Sequence, residues 1–300
     1  MLNLIRMNGY RARHMTCMYV LGIIICLFAI FSIATISTTS GEIKDGESVP
    51  YETPAEAMEA GYNEAKAEAE GTAEDSDNDV TIQLGLISEQ PIRADGTITS
   101  YLAYIYEDIT SGIMLVFMTI AVVLFFNREQ NSGFIKNIAS KSTSRVNIYF
   151  SKFIVMALYT LVSLLLLAVA EYIALLVYYK GDVKFGVDII GDFLPKMGII
   201  FLLHLAFLSG VVMVTTLSKS STLGITIGML ANTGFSTFIV MPIKAWFDID
   251  ISKYLVTPNI AKLNLNSTGD VITDTLLVGI IWLIVYNVFG CVYFSKKDIV

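Results

Sequence analysis

The sequence is poor in the residues from which most catalytic and metal sites are built. Its 300 residues include two histidines and three cysteines, and only 16% are charged. Neither H-E-x-x-H nor C-x-x-C spacing occurs, and no G-x4-G-K-[S/T] phosphate-binding loop is present. These absences argue against a zinc site of the common spacings and against ATP hydrolysis by a P-loop in this chain. We therefore expect no catalytic residues, no metal and no cofactor of its own.

Long apolar runs dominate the chain instead. Hydrophobic residues make up 54% of it, and the mean hydropathy is +0.64. A hydrocarbon core about 30 Å thick requires roughly 20 apolar residues per helix. Runs near this length occupy residues 17–36, 109–126, 153–179, 197–217, 222–241 and 273–294. The sequence therefore predicts an all-α integral membrane protein with six transmembrane helices. Cys17, Cys26 and Cys291 lie at or within these runs, so we expect them to pack as small apolar groups.

Positive charge is concentrated on one side of the predicted membrane. With six spans, both termini lie on the same side as the loops after the second and fourth spans. That side carries 11 of the 20 Lys and Arg residues but only two acids, Glu129 and Asp298. Short loops rich in Lys and Arg remain in the cytoplasm. We therefore expect both termini to be cytoplasmic and the protein to lie in the cell membrane.

The same pattern divides the chain into three parts. Residues 1–36 contain a short basic and apolar stretch, which suits a helix in the membrane interface, and then the first span. This beginning is also similar to the basic region of a signal peptide, but so long an apolar run favours an uncleaved span. Residues 37–108 carry 17 acids, from Glu42 to Asp108, and are expected to form a small extracytoplasmic domain. Residues 109–300 hold five spans and a cytoplasmic loop, 127–152.

Two polar residues fall inside predicted spans. Glu171 is expected roughly 12 Å from the outer end of the third span, and His204 roughly 10 Å into the fourth. Consecutive antiparallel helices usually pack side by side, so these residues can form a pair or share a hydrated cavity, which offsets the cost of a carboxylate in hydrocarbon. Alternatively, Glu171 faces a hydrated vestibule or a subunit interface.

The fifth span carries small and polar residues at four-residue spacing: Gly224, Gly228, Asn232 and Ser236. Small residues on one helix face let two backbones approach closely, and asparagine can hydrogen-bond across the contact. The stripe therefore predicts either helix packing within the bundle or the seam of a dimer.

The loop 127–152 carries the most specific pattern in the chain. A span ending in two phenylalanines is followed by E-x3-G-x-I-K-N, then by S-R and a lysine at the next span: Glu129, Gly133, Ile135, Lys136, Asn137, Ser144, Arg145 and Lys152. The C-terminal end reads F-x-K-K-D-I, from Phe294 to Ile299. Together with six spans and a basic N-terminal helix, these motifs resemble the permease subunits of ABC-2-type (type-2 ABC) exporters.

The resemblance implies a function and a set of partners. In that family the N-terminal helix is an elbow helix, and the loop after the second span docks on a separate ATPase subunit that binds ATP and Mg. Two permease halves, identical or different, form a dimer whose midline is lined by the first and fifth spans. The substrate would be a peptide, a drug or a lipid-like molecule. The coupling residues implied here are Glu129, Gly133, Phe134, Ile135, Lys136, Ile138 and Arg145.

Other interpretations of the same features stay open. A basic amphipathic loop on the inner face also suits contact with anionic membrane lipid. A non-transporting sensor or scaffold would use the acidic outer domain to bind a cationic peptide. A proton-coupled secondary transporter would use Glu171. A nucleic-acid partner is not expected.

Overall fold

The computed structural model describes residues 1–39, 101–110, 112–131, 144–178, 185–232, 251–265, 267 and 269–296, with the single positions 240, 243, 244 and 246. These residues form helices and turns and contain no strand. The helices are α1 (Leu2–Arg13), α2 (Thr16–Thr39), α3 (Tyr101–Thr110), α4 (Ile113–Asn131), α5 (Arg145–Tyr178), α6 (Ile190–Ser218), α7 (Ser221–Asn232), α8 (Val256–Lys262) and α9 (Gly269–Lys296).

Four of these helices, α2, α5, α6 and α9, are long and apolar enough to cross a membrane. The bent pair α3–α4 makes a fifth candidate if its two parts count as one span. The chain is therefore a helical membrane protein, as predicted. The predicted fifth span, 222–241, is described as the helix α7 up to Asn232, and the rest of it, except position 240, lies outside the described residues. Six spans and the side on which the termini lie stay predictions.

The longest helix, α5, extends past its predicted span. It has 34 residues, which corresponds to about 50 Å at 1.5 Å per residue and exceeds a hydrocarbon core of about 30 Å. The helix begins at Arg145, eight residues before the predicted start of that span. A helix of this length either tilts in the membrane or extends beyond the hydrocarbon core.

The last residues of the predicted acidic segment are helical and buried. Residues 101–108 belong to α3, whose Tyr104, Ile105 and Ile109 are buried in the core. A bend of 55° separates α3 from α4, and Gly112 lies at the break with φ +82°. Asp108, the last acid of the predicted segment, is itself 3% exposed. Residues 40–100 lie outside the described part.

Two sets of helices build the bundle. The helix α6 is the most buried of the candidate spans and packs chiefly against α9, α4 and α7. The helix α5 packs chiefly against α2 and α1. A buried polar chain joins the sets: the Tyr149 hydroxyl donates to Asn287 Oδ1 at 3.4 Å, and Asn287 Nδ2 donates to Ser209 Oγ at 3.1 Å. Such bonds between apolar helices help to specify which faces meet.

The N-terminal helix α1 is amphipathic and packs on the beginning of α5. Its Leu4, Asn8 and Ala12 are buried, and this spacing of four places them on one face. Asn8 Nδ2 donates a hydrogen bond of 2.8 Å to Ser151 Oγ on α5. The predicted short N-terminal helix is present, and it is attached to α5, whose first eight residues fall within the predicted loop 127–152.

Several helix ends meet at one end of the bundle, which we call the basic end. The helices α2, α5 and α7 begin there, and α4, α6 and α9 end there. Arg145 Nη1 donates to the Ser295 carbonyl at 3.0 Å, where a cation complements the C-terminal dipole of α9. Lys152 is buried, with its ammonium 5.6 Å from the Phe126 ring centroid and 5.9 Å from that of Phe294.

Candidate functional site

Two carboxylic acids meet inside the bundle, near the end opposite the basic end. Glu171 on α5 is 0% exposed and Asp108 on α3 is 3% exposed, and each is an electrostatic neighbour of the other. The bend between α3 and α4 allows Asp108 to lie against α5. Buried ionisable groups in a membrane bundle are costly unless they have partners, and they commonly mark functional sites. We call Asp108 and Glu171 the acid pair.

Hydroxyl groups lie next to both members of the acid pair. Ser32 Oγ on α2 donates to Asp108 Oδ2 at 3.2 Å and lies 2.6 Å from the Tyr104 hydroxyl. Tyr101, an electrostatic neighbour of Glu171, donates its hydroxyl to the Ala168 carbonyl at 2.6 Å. The acid pair is thus positioned by three helices, α2, α3 and α5.

The two acids differ in how their oxygens are bonded. Asp108 accepts the bond from Ser32, whereas neither carboxyl oxygen of Glu171 has a well-aligned hydrogen-bond partner among the described residues. Buried polar atoms without partners are uncommon in folded proteins. A proton held between two carboxyl groups would convert their contact into an O–H···O hydrogen bond, as in carboxylate dyads elsewhere. The geometry therefore suits binding of a proton by the pair.

The expected pairing of Glu171 with His204 is not formed. His204 is fully buried on α6, where its Nδ1 lies 2.9 Å from the Ile200 carbonyl of the same helix. Its Nε2 has no hydrogen-bond partner among the described residues. The prediction assumed that consecutive helices pack side by side, but α5 packs chiefly on α2 and α6 chiefly on α9. The partner of Glu171 therefore comes from α3.

The small-residue stripe of α7 packs against the same chain. A Cβ atom at Gly224 would clash with Thr215 of α6, and one at Gly228 would lie 2.6 Å from Thr119 Cγ2 of α4. Asn232 Nδ2 donates a 2.6 Å hydrogen bond to the Gly112 carbonyl at the α3–α4 break. This face of α7 is therefore filled within one subunit. Ser236 lies outside the described residues.

We expect Gly228→Ala to destabilise the protein by about 1–3 kcal/mol, the usual range for overpacking a filled contact. The added methyl would lie 3.0 Å from Val211 Cγ2 as well as against Thr119. Gly198→Ala on α6 is the matched control, because a Cβ there has nothing within 4 Å, and alanine favours a helix by about 1 kcal/mol over glycine. Thermal unfolding in detergent measures both variants. Equal melting temperatures of Gly228→Ala and Gly198→Ala would show that the contact of α7 with α4 and α6 has room for an added methyl group.

The predicted coupling residues are only partly described. Glu129 lies in the last turn of α4, and Arg145 begins α5, where it bonds to the Ser295 carbonyl. Gly133, Phe134, Ile135, Lys136 and Ile138 lie outside the described residues. Their docking role stays a prediction.

Asp108 is the site residue that sequence reasoning missed. The apolar and aromatic residues 101–106 are separated from the second predicted span only by Glu107 and Asp108. This short separation was the available signal that Asp108 lies within the bundle. Ser32 was missed because a single serine in an apolar helix is common. Among the described residues, no group of three or more His, Cys, Asp or Glu side chains is arranged to hold a metal ion.

The fold and the site define a class: a helical, multi-span membrane protein with a carboxylic acid pair buried between three of its helices. A family model described as "Protein of unknown function (DUF2705)" matches residues 84–300, which is more than two thirds of the chain. The chain therefore belongs to this family. No curated protein matches it. The matched region begins before α3 and includes both members of the acid pair.

Proposed function

We propose that this chain is the permease subunit of an ATP-binding cassette exporter of the ABC-2 type, driven by an ATPase on a separate chain. The observation that carries the proposal is the attachment of α1 to the beginning of α5. Asn8 and Ser151 bond across that contact, and the first two turns of α5 carry the last residues of the family-like motif, Arg145 and Lys152. The N-terminal helix and the predicted loop 127–152 thus meet at the beginning of the same helix.

This arrangement supports a mechanical coupling. ATP-driven closure of the ATPase subunits would displace the loop and α1 together, because both are connected to the first turns of α5. Since α5 packs on α2 while α6 packs on α9, α4 and α7, a force on α5 acts on one set of helices relative to the other. Rocking of helical sets around a central path is the general basis of alternating access.

The proposal includes a topology and partners. Both termini and the loop 127–152 face the cytoplasm, and the protein works in the cell membrane as a homodimer or a heterodimer with a second permease. The substrate is a peptide, a drug or a lipid-like molecule carried outward. ATP and Mg are bound by the partner subunit, and this chain transmits the conformational change.

Co-expression with a candidate ABC ATPase subunit, chosen first from any such gene next to the one for this chain, tests the proposal. We expect the two chains to co-purify from detergent and to hydrolyse ATP in a vanadate-sensitive manner, whereas this chain alone shows no hydrolysis. A P-loop point variant of the ATPase is the control, and it should retain the complex but lose turnover. Hydrolysis by the purified chain alone, or failure of any neighbouring ATPase to associate with it, would contradict the proposal.

The acid pair favours a second candidate, a proton-coupled transporter. Two carboxyl groups in contact within a low-dielectric bundle can bind one proton between them. Next to the pair lie Ser32 of α2, which donates to Asp108 and contacts the Tyr104 hydroxyl, and Tyr101 of α3, an electrostatic neighbour of Glu171. This candidate predicts proton movement into liposomes that contain this chain without any ATPase, recorded with a trapped pH-sensitive dye, and its loss in Glu171→Gln. The exporter predicts no such movement.

A further inference from the structure

One face of the first two turns of α5 joins the two sets of helices at the basic end. Arg145, Tyr149 and Lys152 are spaced by four and three residues, so they lie on the same side of the helix. The first two hydrogen-bond to α9, and Lys152 lies against one phenylalanine ring of α4 and one of α9. We call these three residues the clamp. Because α4 and α9 pack with α6, whereas α5 packs with α1 and α2, the clamp is a contact between the sets.

The surface of α9 is shaped to receive Tyr149. A Cβ atom at Gly290 would lie 2.6 Å from the Tyr149 hydroxyl oxygen and 3.2 Å from the ring carbon that bears it. The glycine therefore leaves the space that the hydroxyl group occupies, close to Asn287 on the same helix, which accepts its hydrogen bond. Tyr149 is 1% exposed. The closed clamp thus excludes water from this contact.

The hydrogen-bond lengths show where the contact is weakest. Asn287 Nδ2 donates to Ser209 Oγ at 3.1 Å and to the Leu283 carbonyl at 2.8 Å, and both of these bonds lie within the second set. The bond from the Tyr149 hydroxyl to Asn287 Oδ1 crosses between the sets and measures 3.4 Å. Hydroxyl groups usually donate over about 2.5–3.0 Å. A movement of α5 would therefore break this bond first and leave Asn287 attached to α6.

Lys152 gives the clamp a second contact that can be exchanged for water. Its side chain is 1% exposed, and its ammonium group lies 5.6 Å and 5.9 Å from the two ring centroids. Burial of an ammonium group is costly, and the attraction between a cation and aromatic rings compensates for part of this cost. Hydration of the ammonium group would offset the loss of the ring contacts when the clamp opens. The closed and open states are therefore closer in free energy than they would be for an apolar contact.

We propose that the clamp is a latch between the two sets of helices: its closed form holds α5 against α9, and its release lets the beginning of α5 move away from α9. The acid pair joins α5 to α3 at the opposite end, so the movement is largest at the basic end. The helix α1 is attached at this end through the bond of Asn8 to Ser151. The role of the latch in transport rests on the proposed function, whereas its two states are properties of this chain alone.

Distances between two spin labels test the latch on the chain alone in nanodiscs. With the three native cysteines replaced by serine, labelled cysteines replace Val146 at the start of α5 and Leu217 at the end of α6, both of which are exposed. Double electron–electron resonance then measures the separation of the two sets. Tyr149→Phe removes only the hydroxyl group, and it should raise the ratio of open to closed molecules about fivefold, the usual effect of one lost hydrogen bond.

Two further variants make the test specific to the clamp. Gly290→Ala perturbs the same contact from α9, and it should also populate the longer distance because its methyl group displaces the Tyr149 hydroxyl. In the double variant the methyl group occupies the space that the hydroxyl group has left, so the two effects should be less than multiplicative. Tyr159→Phe is the matched control, since it removes a hydroxyl group of α5 that lies next to Ser163 of the same helix. It should keep the distances of the unaltered protein.

The outcomes separate the latch from a general loss of stability and from the proposed function. Unfolding lowers the signal without creating a second defined distance. A longer distance in Tyr149→Phe and Gly290→Ala, but not in Tyr159→Phe, supports the latch whether or not an ATPase binds the chain. Unchanged distances in both clamp variants, or the same change in Tyr159→Phe, would overturn it.

Discussion

Replacing Phe134 and Ile138 together with alanine should abolish co-purification of the ATPase subunit, or reduce its coupled turnover by about 30-fold or more. These residues form the apolar part of the loop motif, and truncating apolar anchors at the centre of an interface commonly costs about 2 kcal/mol or more each. Expression and membrane insertion should be unaffected, because the loop lies between helices whose own apolar runs direct insertion. Pull-down and ATP turnover of the reconstituted complex measure the effect.

The matched control for the Phe134, Ile138 double variant is a substitution at the start of α5. Val146 is apolar and exposed at the basic end of the bundle, so Val146→Ala removes apolar surface, though less of it, at a position that is not one of the motif residues and should leave association intact. If the loop only contacts anionic lipid, the double variant should still bind its ATPase. Full retention of the partner by the Phe134, Ile138 variant would remove the main support for the exporter.

Neutralising either member of the acid pair should lower ATP turnover of the reconstituted complex about tenfold, with the fold intact. Asp108→Asn and Glu171→Gln preserve the shape of each side chain, and an amide can donate a hydrogen bond to the remaining acid. If the two carboxyl groups act as one proton-binding unit, the double variant should be no more impaired than either single variant. Such non-additivity is the signature of residues that act together.

Thr160→Val is the matched control for the acid pair. Thr160 is a fully buried polar residue of the same helix, but its hydroxyl donates to the Met156 carbonyl one turn away. Its replacement should leave turnover unchanged, since in the described part of the chain no hydrogen bond joins this hydroxyl to a group outside the helix. Thermal unfolding distinguishes loss of function from loss of fold. Independent, multiplying effects of Asp108→Asn and Glu171→Gln would show that the two acids do not share a proton.

The apolar runs alone determined the class of this protein. A stretch such as 273–294 becomes the helix α9 because a bilayer leaves an apolar backbone no other way to satisfy its hydrogen bonds. The N-terminal helix α1 was likewise predicted, from the mixture of apolar and basic residues that precedes the first span. These signals are local, and they do not depend on which helices finally meet.

The positions of the span boundaries depended on tertiary contacts. The second span was predicted to begin at residue 109, directly after Asp108, and an isolated carboxylate is costly in hydrocarbon. In the folded chain Ser32 donates to it and Glu171 lies against it, so α3 begins at Tyr101 and enters the bundle. The cost of burying a charged group is set by its partners, and those partners are distant in sequence.

The choice of neighbours was likewise decided by the tertiary structure. Glu171 and His204 are on consecutive helices, yet α5 packs chiefly on α2, and α6 chiefly on α9. The stripe of Gly224, Gly228 and Asn232 marks a close contact from sequence alone, but only the fold shows that α4 and α6 fill it. Hydropathy specifies that a helix is in the membrane, because transfer into lipid depends on composition. It does not specify which faces meet, because that depends on complementary shape and hydrogen bonds between distant segments.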